Sequence, residues 1–496
     1  MKVIAGEGRR GPAAAVVVIA VAVFGMTSMI VTGTASPVLM AACAGVTGLA
    51  VLSKPLLRWN SMLTLLVGVV LFIPIRRYSM GGVGFQLEPY RLLVALLILA
   101  WGSSLLIDQR VRKRPTGLKG PLSLILVTVL LSDVFNASSE RTQLVQSEMV
   151  KSVTFFLSFI LLVGIIVSLV RTEELRDRML KLMVGGGAVL GALAMYESRT
   201  GYNFFDHLHS VMPILKPYYF GDNPLREGRV RAYASAEHPI ALGALFAMIL
   251  PFSFYLLHKF KERRWGIAGL FICAGAFATV SRTAMIMLTV VVIVYAILKF
   301  KDVKRFWPAL IPLVALVHFA MPGAIGTITA SFHPQGGLVK EQTSSAGSRA
   351  AAGRLADLPG AFKTFEEDPL LGYGYGTSLT TGPKANAPIL DDQWLGTLLE
   401  TGVAGIFGWL WLFARFIRRT GREAKRDGTD RSWLMAAFCA AVSAFAVGMI
   451  TYDAFSFIQE VLVLFILLAL GASALLDKQA AADARAEAAA AATATA

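Results

Sequence analysis

Three short segments next to apolar runs carry arginines that could bind an anion. Arg229 and Arg231 lie in REGRVRAYASAEHP, Arg282 in TVSRTAM and Arg354 in GRLADLPG. A guanidinium stays charged and can bond two phosphate oxygens at once. Several guanidiniums converging on one face predict a diphosphate site. Each is individually also consistent with a solvated side chain, and Arg282 with a charge that reaches the membrane surface.

Three further residues could move a proton beside such a site. Asp391 and Asp392 precede Trp394, where an apolar run begins, so this pair is either a helix cap or a general base facing the arginines. His238, in EHPIALG, is either structural or assists the transfer. The histidines and cysteines lack zinc-ligand spacing and there is no ATP-binding motif, so the sequence predicts no metal and no cofactor.

The glycines of GYGYG, Gly372, Gly374 and Gly376, suggest a phosphate-binding loop at first sight. That reading fails because no Lys-Ser or Lys-Thr pair follows and no strand–helix context surrounds the motif. We interpret the glycines as a turn that lets backbone pack closely, forming the pliable part of a loop over the site.

Membrane helices must position these residues. The 496-residue chain is 55% hydrophobic and 16% charged, with a mean hydropathy of +0.62. Apolar runs long enough to cross a bilayer recur along it, and they are continuous rather than alternating, which predicts an all-α polytopic bundle. The net charge of +15 is explained by loop residues that set topology, so no nucleic-acid partner is expected.

The sequence predicts about fourteen transmembrane helices with both termini in the cytoplasm. Their approximate bounds are 12–32, 37–53, 60–75, 91–107, 120–135, 151–170, 180–196, 239–257, 265–281, 283–299, 306–322, 394–414, 432–451 and 455–476. This arrangement puts every dense basic cluster on the cytoplasmic side, as the positive-inside rule requires. The first run is interpreted as a retained helix, with a cleaved signal peptide as the alternative.

The same alternation places two long loops outside, at about 197–238 and 323–393. The second loop is predicted to contain a short amphipathic helix that ends before Pro369. Its apolar face would carry Leu358, Ala361, Phe362 and Phe365. The chain then divides into eleven helices (1–322), the large extracytoplasmic loop (323–393), three helices (394–476) and an Ala-rich, disordered or weakly helical tail (477–496).

Four segments resemble the bacterial superfamily of O-antigen ligases and O-antigen or exopolysaccharide polymerases, which are membrane glycosyltransferases. They are RVRAYASAEHPIALG, Ser281-Arg282, GRLADLPGAFKTFEEDPLLGYGYG and DDQWLGTLLETGVAGIFG, within about 225–410. The resemblance implies an inner-membrane enzyme active on the periplasmic face, with an undecaprenyl-diphosphate-linked oligosaccharide as donor. It also implies a chain-length regulator and a flippase as partners. The reaction expected is inverting. It is also expected to need no metal, because arginines supply the positive charge.

One departure from the family separates its two branches. Ligases usually carry His-Asn before the re-entering helix, whereas this chain carries Asp391-Asp392. The Asp is similar to the polymerase branch, which favours chain polymerisation. A ligase acting on lipid A-core or on protein stays open. So does a flippase or transporter of lipid-linked sugars, which would typically show repeats and helices interrupted near the midplane, and the sequence shows neither.

Overall fold

A computed structural model describes residues 59–80, 87–107, 113–137, 143–218, 225–226, 228–332, 354–377, 392–426 and 428–494. These residues form fifteen α-helices and two small two-stranded sheets. The helices are α1 (Trp59–Phe72), α2 (Pro89–Ile107), α3 (Lys119–Phe135), α4 (Gln143–Leu169), α5 (Glu173–Thr200), α6 (Leu208–Val211), α7 (Pro239–Phe260), α8 (Arg263–Ala278), α9 (Arg282–Val303), α10 (Leu310–Ala320), α11 (Ala324–Phe332), α12 (Arg354–Glu367), α13 (Gln393–Arg426), α14 (Asp430–Gly448) and α15 (Ile458–Ala494).

The sheets are short antiparallel clasps between connections. Strand β1 (Tyr78–Met80) pairs with β2 (Leu215–Pro217), with Tyr78 opposite Pro217. Strand β3 (Leu225–Arg226) pairs with β4 (Arg229–Val230). Short 3-10 turns at Phe204–His207, Lys304–Ala309 and Ala454–Ser456 complete the connections. The first clasp therefore ties the connection after α1 to the long connection after α5.

The helical membrane architecture predicted from the sequence is confirmed. Within the described ranges, eight helices are long and apolar enough to cross a membrane, or nine if α10 and α11 form one bent span. Helices α1, α3 and α8 coincide with predicted spans but are not among these eight, since they contain only 14, 17 and 16 residues. The predicted spans 12–32 and 37–53 lie outside the described residues. The count of fourteen therefore stays a prediction.

Helix α15 lies at the centre of the bundle. Residues 458–475 of its apolar segment are all buried, and α7 and α14 are mostly buried beside it. Small residues let other helices approach closely: a Cβ on Gly191 of α5 would lie 2.3 Å from the Phe271 carbonyl oxygen of α8. Such contacts hold membrane helices together by packing, since lipid removes most of the hydrophobic drive. Helix α15 continues through the Ala-rich segment to Ala494.

One predicted span, 394–414, is interrupted in its interior, and two others are followed directly by a distortion. Helix α13 is broken at Gly402, with φ 64° and ψ −165°. The N–H groups of Val403 and Ala404 donate to the carbonyls of Pro369 and Leu370 instead of continuing the helical ladder. Helix α9 is kinked at Lys299, and α10 and α11 meet at 99°. Interrupted helices are therefore present in the described residues. A transporter can thus no longer be disfavoured on the ground that its helices should be interrupted.

The amphipathic helix predicted in the second long loop is present as α12. Ala361 is buried, and Leu358 and Phe365 are half-buried. Phe362 differs from the prediction, because 51% of it is exposed. The buried stripe is thus narrower than the sequence pattern indicated.

Basic loops meet at one end of the bundle. Arg176 pairs with Asp477 at 2.9 Å, Lys259 pairs with Asp177 at 2.6 Å, and Arg415 Nε donates to the Gly117 carbonyl at 2.8 Å. These contacts join four of the connections predicted to be cytoplasmic. The opposite end carries the connections with the candidate site residues.

Candidate functional site

A buried strap, residues 231–236, crosses the end of the bundle between β4 and α7. Its Ala232 N–H donates to the Ala278 carbonyl at the end of α8, at 3.1 Å. Ser235 Oγ donates to the Leu71 carbonyl at the end of α1, at 2.6 Å. The strap therefore connects elements distant in the chain. It carries Arg231 at its start and leads into His238.

Two buried charged side chains hold the strap. Glu197 accepts from the N–H groups of Ala234, at 2.8 Å, and Tyr233, at 3.2 Å. Arg77 donates to the carbonyls of Ala234, at 2.6 Å, and Ala236, at 3.1 Å, and pairs with Asp206. These bonds sustain a left-handed backbone at Ala234, whose φ is 42°. Backbone of this kind persists where surrounding contacts over-determine it, as at preorganised sites.

Arg77 and Glu197 were not predicted from the sequence, although their positions relative to the predicted spans are unusual for charged residues. Arg77 falls in a short connection that the predicted topology puts outside, where arginine is uncommon. Glu197 comes directly after the predicted span 180–196, where a carboxylate is costly unless it is bonded. Charges on the unexpected side of a membrane protein point to a structural or functional partner.

Arg231 is a buried cation that lacks a counter-charge. Its side chain is 7% exposed, and Nε donates to the Thr279 carbonyl at 3.2 Å. Its Nη2 has no hydrogen-bond partner, and Arg231 forms no ion pair with a carboxylate, among the residues that the structure describes. Burial, followed by the charges of Arg226 and Arg282, lowers the pKa of Arg231 to about 9. The group is still charged at neutral pH, in a place that favours an anion beside it.

Arg226, Arg231, Arg282 and His238 form one group, here called the cation cluster. Arg226 donates to the Val280 carbonyl at 3.2 Å, beside the Thr279 carbonyl that holds Arg231. These carbonyls belong to the turn between α8 and α9. The sequence predicted Arg231, Arg282 and His238 and omitted Arg226.

The turn between α8 and α9 is strained and buried. Val280 has φ 46°, which is an outlier for a β-branched residue. Ser281 Oγ accepts from the Ala284 N–H at 3.3 Å and so caps α9, which puts Arg282 at the first helical position. The unusual backbone presents two consecutive carbonyls to arginine side chains and starts α9 with a third arginine.

His238 is the N-cap of α7 and belongs to the cluster as a neutral ring. Its Nδ1 accepts from the Ile240 N–H at 3.2 Å, and its ring stacks on Phe457 with centroids 5.7 Å apart. Burial, with Arg231 and Arg226, lowers the pKa of His238 to about 4. Because Nδ1 accepts, the neutral ring carries its proton on Nε2. His238 is therefore suited to donate a hydrogen bond to an anion.

We expect His238 to make the protein less stable in acid. Its pKa lies near 4 in the folded chain and near 6.5 when unfolded, so the unfolded state alone gains a proton as pH falls below 6.5. The loss of unfolding free energy reaches roughly 3 kcal/mol by pH 4. His238→Asn keeps a cap without a titrating ring. Its melting temperature in detergent should fall less between pH 6.5 and 4.5 than that of the wild type. His318→Asn, at an exposed histidine, is the control. An unchanged pH slope in His238→Asn would contradict the expectation.

Arg229 and Arg354 are not brought into the cluster by any contact described. Arg229 Nη1 donates to the Pro322 carbonyl, between α10 and α11. Burial, with the charge of Arg199, lowers its pKa. The backbone of Arg354 begins α12, but its side chain lies outside the described residues. Both remain predictions as diphosphate ligands.

Asp392 adopts the capping arrangement that the sequence left open. Its Oδ1 accepts from the N–H groups of Trp394, at 2.9 Å, and Leu395, at 3.1 Å. Asp391 lies outside the described residues. The next residue, Gln393, accepts at Oε1 from the Phe455 N–H at 2.6 Å and donates its own N–H to the Met449 carbonyl at 2.8 Å. The start of α13 is thus joined to the connection whose Phe457 stacks on His238.

The GYGYG turn packs tightly against the break in α13. Gly372, Gly374 and Gly376 all have positive φ, and a Cβ on Gly372 would lie 2.3 Å from the Leu399 carbonyl oxygen. The N–H groups of Tyr373 and Gly374 donate to the Leu399 and Glu400 carbonyls that the break exposes. The close-packing interpretation agrees with this geometry. The expected pliability stays a prediction.

Glu237 lies next to His238 of the cation cluster and was not among the residues predicted from the sequence. Its side chain is 12% exposed, and Oε2 lies 3.4 Å from Arg76 Nη1. Its Oε1 is buried without a hydrogen-bond partner among the described residues. Burial raises the pKa of Glu237 to about 7, against the lowering effect of Arg76. Immediately before His238, this carboxyl has the proton affinity of a general base working near neutral pH.

Part of the chain is similar to a known protein family. Residues 267–410 match a family model described as O-antigen ligase. This segment is O-antigen ligase-like. The matched segment includes Arg282, the GYGYG turn and the start of α13. The strap with Arg231, and His238 after it, precede the matched segment. No curated protein matches the chain.

Proposed function

We propose that this protein is a polysaccharide polymerase of the O-antigen or exopolysaccharide type. It transfers a glycan from undecaprenyl diphosphate to a sugar hydroxyl of a lipid-linked repeat unit on the periplasmic face of the bacterial inner membrane. The observation that carries the proposal is Arg231, a buried guanidinium with an unbonded Nη2 beside two more arginines. A diphosphate would supply the missing negative charge.

The reaction is an in-line displacement at the anomeric carbon. The acceptor hydroxyl oxygen bonds to that carbon, the bond from carbon to the diphosphate oxygen breaks, and its electron pair leaves with the diphosphate. The configuration at the anomeric carbon inverts. The hydroxyl proton passes to a carboxylate. Asp391 and Asp392 are the candidate bases from the sequence. Glu237 is a third candidate, because its pKa is raised to about 7.

The cation cluster acts on the leaving group. Negative charge grows on the diphosphate as the bond breaks, and donors already aimed at that position stabilise it without reorganising. Arg231 and Arg282 supply charge, and neutral His238 donates from Nε2. The strap keeps these groups in place before substrate arrives. No metal ion is required for this role, because the guanidiniums carry the charge.

The second candidate is a ligase, which the description of the matched family favours. It would use the same donor and cation cluster with lipid A-core or protein as acceptor. The polymerase is preferred because Asp391-Asp392 stands where ligases usually carry His-Asn. A chain-length regulator and a flippase are expected partners of either enzyme. The joined basic loops support a cytoplasmic location for their end of the bundle.

Deleting the gene tests the proposed function. Single lipid-linked repeat units should accumulate on the outer leaflet, where a membrane-impermeant probe reacts with them, and polymer should disappear. Long undelivered lipid-linked chains would indicate a ligase instead, and repeats confined to the inner leaflet would indicate a flippase. Complementation with wild type should restore polymer, and so should Arg415→Gln, which removes an arginine from the opposite end.

A further inference from the structure

A cavity of about 150 Å³ lies between α4, α13 and α15, next to the cation cluster. The GYGYG turn and the connection between α14 and α15 close it on one side. Its walls carry both aromatic rings and polar groups. The residues used below are Phe156, Tyr375, Trp409, Gln393, Glu400 and Asp453. We call it the aromatic cavity.

Aromatic rings form one wall. Phe156 lies between Tyr375 and Trp409, with centroid distances of 5.9 Å to each. Trp409 also packs on Phe455 at 4.6 Å. Rings fixed by their neighbours in this way offer a preformed apolar surface at low entropic cost.

Carboxylates face the same space. Glu400 and Asp453 both line the cavity, and Asp133 Oδ1 accepts from the Tyr375 N–H at 2.6 Å behind it. Burial, and then the charges of Glu400, Asp133 and Asp453, raise the pKa of Tyr375. Glu400 is only 8% exposed, in the last turn of α13 before the break at Gly402. Charged residues at such depth in a membrane protein tend to line cavities and serve function.

The break in α13 explains how Glu400 comes to lie here. The Glu400 carbonyl accepts from Ser132 Oγ, at 2.7 Å, and from the Gly374 N–H, at 3.1 Å. These bonds replace the helical partner that the break removes and fix the turn that bears Glu400. The Glu400 carboxylate is thereby fixed on the same cavity as the aromatic wall.

The aromatic cavity adjoins the cation cluster through Arg76, which also lines the cavity. Arg76 Nη1 donates to the Ser456 carbonyl at 2.8 Å and lies 3.4 Å from Glu237, the residue before His238. Phe457, next to Ser456, stacks on His238. A carboxyl with a pKa near neutrality thus stands between the two spaces.

We propose that the aromatic cavity binds the terminal sugar ring of the acceptor glycan, which rests on the proposed glycosyl transfer. A sugar ring has an apolar face that suits Tyr375 and Trp409. Its hydroxyls suit the carboxylates of Glu400 and Asp453 and the amide of Gln393. The cavity has room for about one ring. The carboxylates of Glu400 and Asp453 balance the charges of Arg76 and Lys151, which also line the cavity, so the lining suits a neutral sugar ring. The cation cluster has an excess of positive charge and suits a phosphate, so donor and acceptor occupy separate places.

The test measures acceptor dependence with the full-length protein in lipid nanodiscs. The donor is lipid-linked repeat unit from the producing cells, and the probe is free repeat-unit oligosaccharide released from it by mild acid. Glu400→Gln and Asp453→Asn should each raise the half-saturating concentration of oligosaccharide by about 10-fold or more, since each weakens a charged hydrogen bond. The maximal rate should change by less than about 3-fold. Glu174→Gln, at an exposed carboxylate, should change neither quantity.

The outcomes separate this inference from the proposed function. An unchanged half-saturating concentration in both cavity variants overturns the acceptor assignment, and so does a fall in maximal rate alone. If Glu400→Gln is not recovered folded, Asp453→Asn gives the same reading. Arg231→Gln should lower the maximal rate at saturating oligosaccharide. A normal rate in that variant speaks against the cation cluster as the donor site, whatever the cavity variants show.

Discussion

Replacing Arg231 by Gln is expected to lower glycan transfer by about 100-fold or more while leaving the protein at least as stable. The loss follows because Arg231 is a buried cation with no carboxylate partner among the residues that the structure describes. The stability follows from the same fact, since removing an uncompensated buried charge relieves a desolvation cost. The lost bond to the Thr279 carbonyl offsets part of that gain. Most core substitutions lower activity and stability together, so this opposite pattern is diagnostic.

Transfer should be measured as polymer formed in a deletion strain carrying each variant, and stability as the melting temperature of purified protein. Arg231→Lys keeps a charge but loses the planar fork, so it should retain partial activity. Arg415→Gln is the matched control, because Arg415 also donates to a backbone carbonyl but lies at the other end. Arg282→Ala should likewise stop polymer formation without removing protein from the membrane. Normal polymer from Arg231→Gln and Arg282→Ala would exclude the cation cluster from the reaction.

Replacing Asp391 and Asp392 together by Asn is expected to block transfer, with a loss of about 100-fold or more if one is the general base. The structure makes this prediction asymmetric. Asp392 caps α13 through Oδ1, and Asn caps a helix about as well as Asp. Asp392→Asn alone should therefore stay active and folded, whereas Asp391→Asn alone should lose transfer.

The two single variants and the double variant should be compared for polymer in cells and for amount in the membrane. Asp392→Ala should lose stability by about 1 kcal/mol through the missing cap, which distinguishes capping from catalysis. Full activity in the double variant would leave the pair as caps only. Glu237 would then be the remaining candidate base. If it is the base, activity should rise as pH increases through about 7, and Glu237→Gln should abolish that rise.

Much of the site was visible in the sequence because guanidinium chemistry and helix capping are local properties. Arg231, Arg282 and His238 stood out as polar groups at the ends of apolar runs, and the structure groups them. Arg226 was overlooked because its role depends on the Val280 carbonyl, 54 positions away in the chain. Arg229 was predicted as a diphosphate ligand, although its guanidinium donates to the Pro322 carbonyl, away from the cation cluster. No spacing rule predicts which carbonyl an arginine will reach.

The sequence by itself determined that this is a multi-pass helical membrane protein with an O-antigen ligase-like segment. Hydrophobic length and continuity require helices in lipid, and the motifs keep their order along the chain. Tertiary structure alone decided that the strap is buried and that α13 breaks beside the GYGYG turn. Arg77 and Glu197, remote in sequence, bond the strap backbone, and residues 369–374 take over the helical hydrogen bonds lost at the break. Such bonds form only after distant segments have packed, so no local pattern encodes them.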